Sequence, residues 1–235
     1  MSAPEHASLR EHYSQFYRSS KDHDSPRESR TRMVRAMTSF ILGNEGPLTV
    51  LNIGSGRREL EGMLTRNAKG NVDPTLRDKL ASTSLVSFDI ADIPARRMIG
   101  ERGSHVQADS RAMPFRSEAF DLTLSNLSID MLRRQPGQFE IALAEMSRVT
   151  KIGGVVLLNY HPPELFDSLS DDYNGHGGYL EGFYNGTSTD NPYYQHVDAI
   201  VADLENVGID VDTAGKVEDR LGVDSWWEVT GMKIA

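Results

Sequence analysis

A short apolar run, Thr49-Val50-Leu51-Asn52-Ile53, ends in Gly54-Ser55-Gly56. Glycines at a strand end let the chain bend sharply and let a ligand lie against bare main chain. A helix beginning just beyond would aim free N–H groups at a carboxylate or phosphate. A dinucleotide fingerprint asks for a third glycine where this chain has Glu59, whose charge also opposes a pyrophosphate. An NAD reading loses ground. A second apolar run, Leu85 to Ile90, carries Asp89 near its end, where a carboxylate can accept both hydroxyls of a ribose. Asp89 lies 33 residues beyond Gly56, against roughly 20 in a simple nucleotide-binding unit. Residues 67–84, with Gly70, Pro74 and mixed charge, read as an insertion that absorbs the excess. Asp92 is a nearby competitor, but Asp89 follows the apolar run directly.

These residues need a frame. From Leu48 onward, short apolar runs alternate with helical spacing. Strands are expected at 49–53, 85–90, 120–125, 155–160, 209–212 and 227–234, and helices at 139–149 and 197–207. Lys151-Ile152-Gly153-Gly154 reads as a helix stop and turn. Short strands separated by helices predict a doubly wound, mostly parallel α/β sheet covered on both faces. Before it, Met33, Met37, Phe40 and Ile41 form the apolar stripe of an amphipathic helix, with Arg27, Arg30, Arg32 and Arg35 on its solvated face. Tyr13, Phe16 and Tyr17 share one helical face in an N-terminal arm. Residues 161–196 break the rhythm with five glycines and three prolines, and with Tyr160 they hold six of the eight tyrosines. A long, aromatic loop of this kind reads as an acceptor lid.

Composition narrows the class. At 235 residues with 38% hydrophobic content the chain can bury a real core. No apolar run reaches membrane-spanning length, and residues 1–10 lack the apolar stretch of a signal peptide. The absence of cysteine excludes disulfides, thiolate metal sites and a cysteine nucleophile. A cytoplasmic enzyme or binding protein is the expectation. The net charge of −9 is concentrated: residues 161–235 hold 3 Lys/Arg against 15 Asp/Glu, and the remainder is close to neutral. With no extended basic block, nucleic acid is disfavoured as a partner.

Further motifs join the glycine turn and Asp89. Asp109-Ser110-Arg111-Ala112-Met113-Pro114-Phe115 leads into Phe120-Asp121-Leu122, and Glu145-Met146-Ser147-Arg148-Val149-Thr150-Lys151-Ile152-Gly153-Gly154 leads into a strand. In order and spacing, these blocks resemble the class I S-adenosylmethionine-dependent methyltransferases, in particular their small-molecule, type 11-like group. The resemblance covers roughly residues 48–160 and the closing strands. It implies a Rossmann-like, seven-stranded sheet in a single domain. Within it, 1–47 would be an N-terminal helical arm, 48–160 the cofactor core, 161–196 a lid and 197–235 a closing helix and strands. A homodimer stays open.

The resemblance also assigns roles. Gly54, Ser55 and Gly56 would pack against S-adenosylmethionine, with S-adenosylhomocysteine as product. Asp89 would bind the ribose hydroxyls, Ile90 would cover the adenine, and Asp109 would accept from the adenine amino group with Ser110 alongside. Asn126 would face the methionyl end and the acceptor. Asp121 is expected to shape the start of its strand, not to touch ligand. Asn52 stands where the family usually has an acid, and Arg57 and Arg58 where it often has a small residue. Asn52 can still hydrogen-bond, which keeps it among the cofactor residues. These departures motivate an alternative, a methyltransferase-like binding protein without catalysis; an RNA or protein methyltransferase is another. If the acceptor arrives protonated a base is needed, and His161, just past the strand ending at Tyr160, is the first candidate. His176 and His196 follow. No metal site is expected from these histidines. The acidic last third implies an acceptor that is neutral or cationic.

Overall fold

The computed structural model describes residues 27–56, 58, 60–64, 74–91, 103–134, 137–160, 197–218 and 225–234. In chain order these form α1 (Arg27–Gly43), β1 (Thr49–Ile53), α2 (Pro74–Ser82), β2 (Ser84–Asp89), β3 (Gly103–Gln107) and β4 (Phe120–Asn126). A 3-10 turn (Ile129–Arg134), α3 (Gln138–Val149), β5 (Thr150–Tyr160), α4 (Val197–Asn206), β6 (Ile209–Glu218) and β7 (Ser225–Lys233) follow. A further helical stretch spans 60–64. The expected seven-stranded sheet is present, in the order β3-β2-β1-β4-β5-β7-β6. Strands β1 to β5 run parallel, and β7 is antiparallel to both β5 and β6.

The inner strands are apolar on both sides because each face of the sheet has its own core. Met33, Val34, Met37 and Ile41 of α1 bury against Val50, Leu122, Leu124 and Leu157, joined by Leu60, Leu64 and Leu76. On the opposite face Phe139, Leu143, Met146 and Val149 of α3, with Ile200 and Leu204 of α4, cover Leu51, Ile53, Phe88 and Leu158. Alternation within β1 sends Val50 to one core and Leu51 to the other. Arg35 is exposed on the far side of α1, as the amphipathic pattern requires.

Three local expectations change. The stretch 67–84 contains α2, opened by Pro74 at a first-turn position where proline's missing N–H has no bond to lose. Its inward anchor, Leu76, gave the sequence too weak a period to reveal it. Residues 151–154 are not a turn outside the sheet. Strand β5 begins at Thr150, directly at the end of α3, and the excess residues are taken up as a bulge. There the register jumps from Phe120↔Thr150 to Leu122↔Val155, with Gly153 at φ 76°. Strand β3 was not anticipated, because an edge strand reading Gly-Ser-His-Val-Gln carries little apolar signal.

The later sequence blocks are fastened to each other. Arg148 donates to Glu145 Oε1 (2.6 Å) and Oε2 (2.8 Å), and also to the carbonyls of Phe115 (2.8 Å) and Met113 (3.1 Å). Glu145 Oε2 in turn accepts from the Met113 N–H at 2.7 Å. The Glu-x-x-Arg segment is therefore a latch on the segment containing Pro114 and Phe115. Asp121 does shape its strand: Oδ2 accepts from the Thr49 N–H at 2.8 Å, and Oδ1 from Lys151 Nζ at 2.6 Å.

The Arg148 bonds hold the Glu145 carboxyl below its ordinary value. Burial alone would raise Asp121, but the Lys151 and Thr49 bonds outweigh it and the net shift is downward. Both groups thus add stability that is fully present above about pH 4 and is lost as pH falls through their lower folded values. Arg148→Ala is expected to destabilise the fold by about 2 kcal/mol or more in urea unfolding. Glu145→Gln should flatten the acid limb of the stability–pH curve, and an unchanged limb would count against the latch.

Candidate functional site

The order of the sheet reverses between β1 and β4, which is where open α/β sheets bind ligands, beyond the carboxyl ends of their strands. Gly54, Ser55 and Gly56 turn off the end of β1 there, and Asp89 ends β2 beside them. The Ser55 N–H bonds the Phe88 carbonyl at 2.9 Å, continuing the β1–β2 ladder into the turn. Asp89 is buried, and its Oδ2 accepts from the Gly56 N–H (2.8 Å) while Oδ1 accepts from the Ala91 N–H (2.9 Å). Desolvation raises the Asp89 carboxyl above its ordinary value, opposed by the main-chain donors of Ala91, Gly56 and Ile90. The turn and the acid are thus one bracket.

The two glycines have different reasons. Gly56 (φ 50°) bends the chain so that its N–H meets Asp89. Gly54 (φ 66°) faces protein: a Cβ there would lie 1.6 Å from Ser128 Oγ and 2.3 Å from Ser128 Cβ. Ser128 reaches that place because Leu127, at φ 53°, kinks the chain as it leaves β4. Arg58 likewise adopts φ 59°, a glycine-like conformation held by a non-glycine residue. Ser55 Oγ is buried with no hydrogen-bond partner among the described residues. A buried polar atom in a tight cradle of main chain fits a ligand with polar atoms to offer.

The other expected residues join this edge, with two surprises. Ile90 follows Asp89, and its carbonyl accepts from Gln107 Nε2 at 3.2 Å. Asp109 and Ser110 lie just beyond β3. The Asp109 carboxylate is engaged by Arg111, whose main-chain N–H (2.9 Å) and Nε (2.8 Å) bond Oδ1 while Nη2 meets Oδ2. Arg111 is itself buried and reaches Gln138 at 2.9 Å. Asp109 thus presents a carboxylate already oriented by a guanidinium, so any adenine contact uses its remaining lone pairs. Asn52 is the second surprise. It does not line the ligand edge but is buried in β1, donating to Glu61 Oε1 at 2.9 Å.

Asn126 ends β4 and belongs to a ring that sequence reading missed. Ser29 Oγ donates to Asn126 Oδ1 at 2.8 Å, and Asn159 Nδ2 reaches both Ser29 Oγ and Asn126 Oδ1 at 3.1 Å. Two donors on Oδ1 fix the orientation of the Asn126 amide. Ser29 stands 97 residues away in α1, and no local pattern marks it. The same helix is held by Arg32, bidentate to Glu228 at 2.8 Å, with Trp226 Nε1 bonding Glu228 at 3.0 Å. Tyr160 ends β5 stacked on Trp227, ring centres 6.3 Å apart. His161, His176, His196, Arg57 and Glu59 lie outside the described residues, as do 161–196 as a whole.

Residues 69–158 match the family model described as a methyltransferase domain, a span that begins beyond the glycine turn. An arginine-hydroxylase of zebrafish, Danio rerio (NDUFAF5, mitochondrial), is 31% identical over 107 residues, which is 46% of this chain. The chain spans only 29% of that relative's length. A Burkholderia thailandensis 1,6-didemethyltoxoflavin-N1-methyltransferase, solved with its substrate and S-adenosylhomocysteine, matches the whole chain and 92% of its own, with a TM-score of 0.60 at 16% identity. The (4+2) cyclase SpnF matches 92% of this chain and 85% of its own, with a TM-score of 0.57 at 13% identity. At these identities the structural matches speak for fold. No helix among the described residues is long and apolar enough to cross a membrane.

The Gly54 contact sets a test. Gly54→Ala should destabilise by roughly 2–4 kcal/mol, from the clash and the left-handed φ together. Ser128→Ala should not rescue it, because the Ser128 Cβ would still clash, whereas Ser128→Gly should recover the steric part. Urea unfolding of the four proteins decides; rescue by Ser128→Ala would refute the assigned contact.

Proposed function

We propose that the chain carries a class I S-adenosylmethionine-dependent methyltransferase domain and passes the methyl group to a small organic acceptor, neutral or cationic. The observation that carries this reading is the bracket at the sheet's switch point, in which Gly56 and the Asp89 carboxylate are joined at 2.8 Å. When bound, S-adenosylmethionine supplies a sulfonium methyl open to in-line displacement by the acceptor. The residues present have three tasks. Asp89 takes the ribose hydroxyls, its geometry fixed in advance by main-chain donors. The Gly54–Gly56 turn and Ser55 Oγ border the methionyl portion, while Ile90, Asp109 and Ser110 border the adenine. Asn126, its amide held by Ser29 and Asn159, borders the methionyl and acceptor end. Holding both partners in fixed geometry supplies most of the acceleration that such a displacement needs.

A base is required only for an acceptor that arrives protonated. His161 is proposed for that task, with His176 and His196 behind it. The excess of acid over base in residues 161–235 supports a neutral or cationic acceptor, since like charge opposes an anionic one. The toxoflavin precursor held by the Burkholderia enzyme is a small acceptor of the size this reading asks for. A cysteine-free chain of this kind suits the cytoplasm.

A second reading has its own support. The curated relative is named a hydroxylase and one structural match a cyclase, and one fold serves many reactions. In that reading the site binds the cofactor without passing on its methyl group.

Thermal unfolding with S-adenosylhomocysteine tests the site itself. At about 100 times its dissociation constant the ligand should stabilise by about 2.7 kcal/mol, or roughly 5–10 °C for this chain length. Asp89→Ala should remove most of that shift. A null result, with NADH producing a shift instead, would overturn the proposal. A shift without methyl turnover across a panel of neutral and cationic small acceptors would favour the second reading.

A further inference from the structure

Two departures from the family pattern stand close together here. Asn52 stands where the resemblance leads one to expect an acid on β1, and Arg57 and Arg58 stand where it often has a small residue. The structure supplies an acid from a different element. Glu61, in the helical stretch 60–64, is buried, and its Oε1 accepts from Asn52 Nδ2 at 2.9 Å and from Ser87 Oγ at 2.7 Å. Asn52 and Ser87 are register partners in the β1–β2 ladder. Each stands two residues before a functional end: Asn52 before Gly54, and Ser87 before Asp89.

We propose that Glu61 has taken over the place of the strand acid, as a positioning residue that sets the glycine turn and Asp89 in their cofactor-binding arrangement. The proposal rests on the cofactor reading given above. Its geometry is a closed loop. The chain leaves β1 at Asn52, turns through Gly54–Gly56, and returns through the helix to place Glu61 against Asn52. Asp89 braces the turn from the ligand side through the Gly56 N–H, and Glu61 braces the two strands one pleat behind. Arg58 couples to the same arrangement. Its N–H bonds the Ser55 carbonyl at 2.8 Å and its carbonyl accepts from Gly62 at 3.0 Å; burial raises the Glu61 carboxyl above its ordinary value, opposed by the bonds from Ser87 and Asn52 and least by the Arg58 charge. Arg58 holds a left-handed backbone between the turn and the helical stretch. An acid thus stands on the helical stretch against the strand position that holds Asn52.

Four full-length proteins test this: wild type, Glu61→Gln, Asn52→Asp, and Asn52→Asp with Glu61→Gln. Calorimetric titration with S-adenosylhomocysteine and thermal unfolding without ligand are the two readouts. Glu61→Gln should weaken binding about tenfold or more, since the Gln amide places an N–H₂ group where the second carboxyl oxygen sits in the buried site and weakens the two bonds accepted at Oε1. The double variant, which returns the acid to the strand, should recover wild-type affinity to within about threefold. Asn52→Asp alone brings two buried carboxyls together and should lower the melting temperature; the double variant should restore it. Wild type that binds while Glu61→Gln binds equally well, or a double variant no better than Glu61→Gln, overturns this inference and leaves the methyltransferase reading standing. Wild type that does not bind overturns both. Should Glu61→Gln fail to fold, recovery of folding in the double variant supports the relocation, and its absence overturns it.

Discussion

The site depends on the burial of one carboxylate. Asp89 is almost withdrawn from water, at 5% exposure, a state that opposes ionisation unless donors are supplied. The donors are main-chain N–H groups of Gly56, Ala91 and Ile90, so the acid is held by backbone geometry more than by any partner side chain. That has a consequence for both glycines. Gly56 must bend so that its N–H points at Asp89, and Gly54 must lack a Cβ so that Ser128 can close in from β4. Three strands are thereby fixed at one point, and a ligand held there meets groups that need no rearrangement.

The later sequence blocks serve this point indirectly. Arg148 and Glu145 grip the main chain at Met113 and Phe115, and Phe115 packs edge-on against Phe120 at 5.0 Å. Asp121 ties the start of β4 to Thr49 at the start of β1 and to Lys151 in the β5 bulge. None of these residues needs to touch a ligand. They set the heights of β1, β4 and β5 relative to one another, and so the positions at which those strands end. The blocks occur together in sequence because each holds part of another in place.

Much of this was readable in advance. The apolar runs predicted the buried strands, because a strand covered on both faces must be apolar throughout. The turn after β1 and the acid after β2 were equally plain, as glycine and aspartate at strand ends have few other uses. What escaped the sequence was whatever depends on partners far along the chain. Ser29 meets Asn126 across 97 residues, and nothing near Ser29 marks it. Nothing in the Asp-x-x-x-x-Pro-Phe block marks Arg111 as the residue whose guanidinium engages Asp109. Asn52 read as a weakened site residue, because the acid that answers it lies nine residues on, in another element. Strand β3 was hidden for a different reason: an edge strand with a polar sequence gives the alternation rule too little to work with.

The two ends of the site are built on different principles. The Asp89 end consists of main-chain donors and a buried acid, from β2 and from the turns that follow β1 and β2. The Asn126 end consists of side chains drawn from distant elements: Ser29 of α1, Asn126 of β4 and Asn159 of β5. A site fixed by backbone tolerates little change in what it binds. One fixed by a ring of short polar side chains can be altered one residue at a time without disturbing the sheet. Helix α1 joins that ring at Ser29 and is secured again at Arg32 by Glu228 of β7. The helix therefore spans from the β4–β5 edge to β7 and carries the variable end with it. The bracket of Gly56 and Asp89 can then stay constant while the Asn126 end changes one side chain at a time.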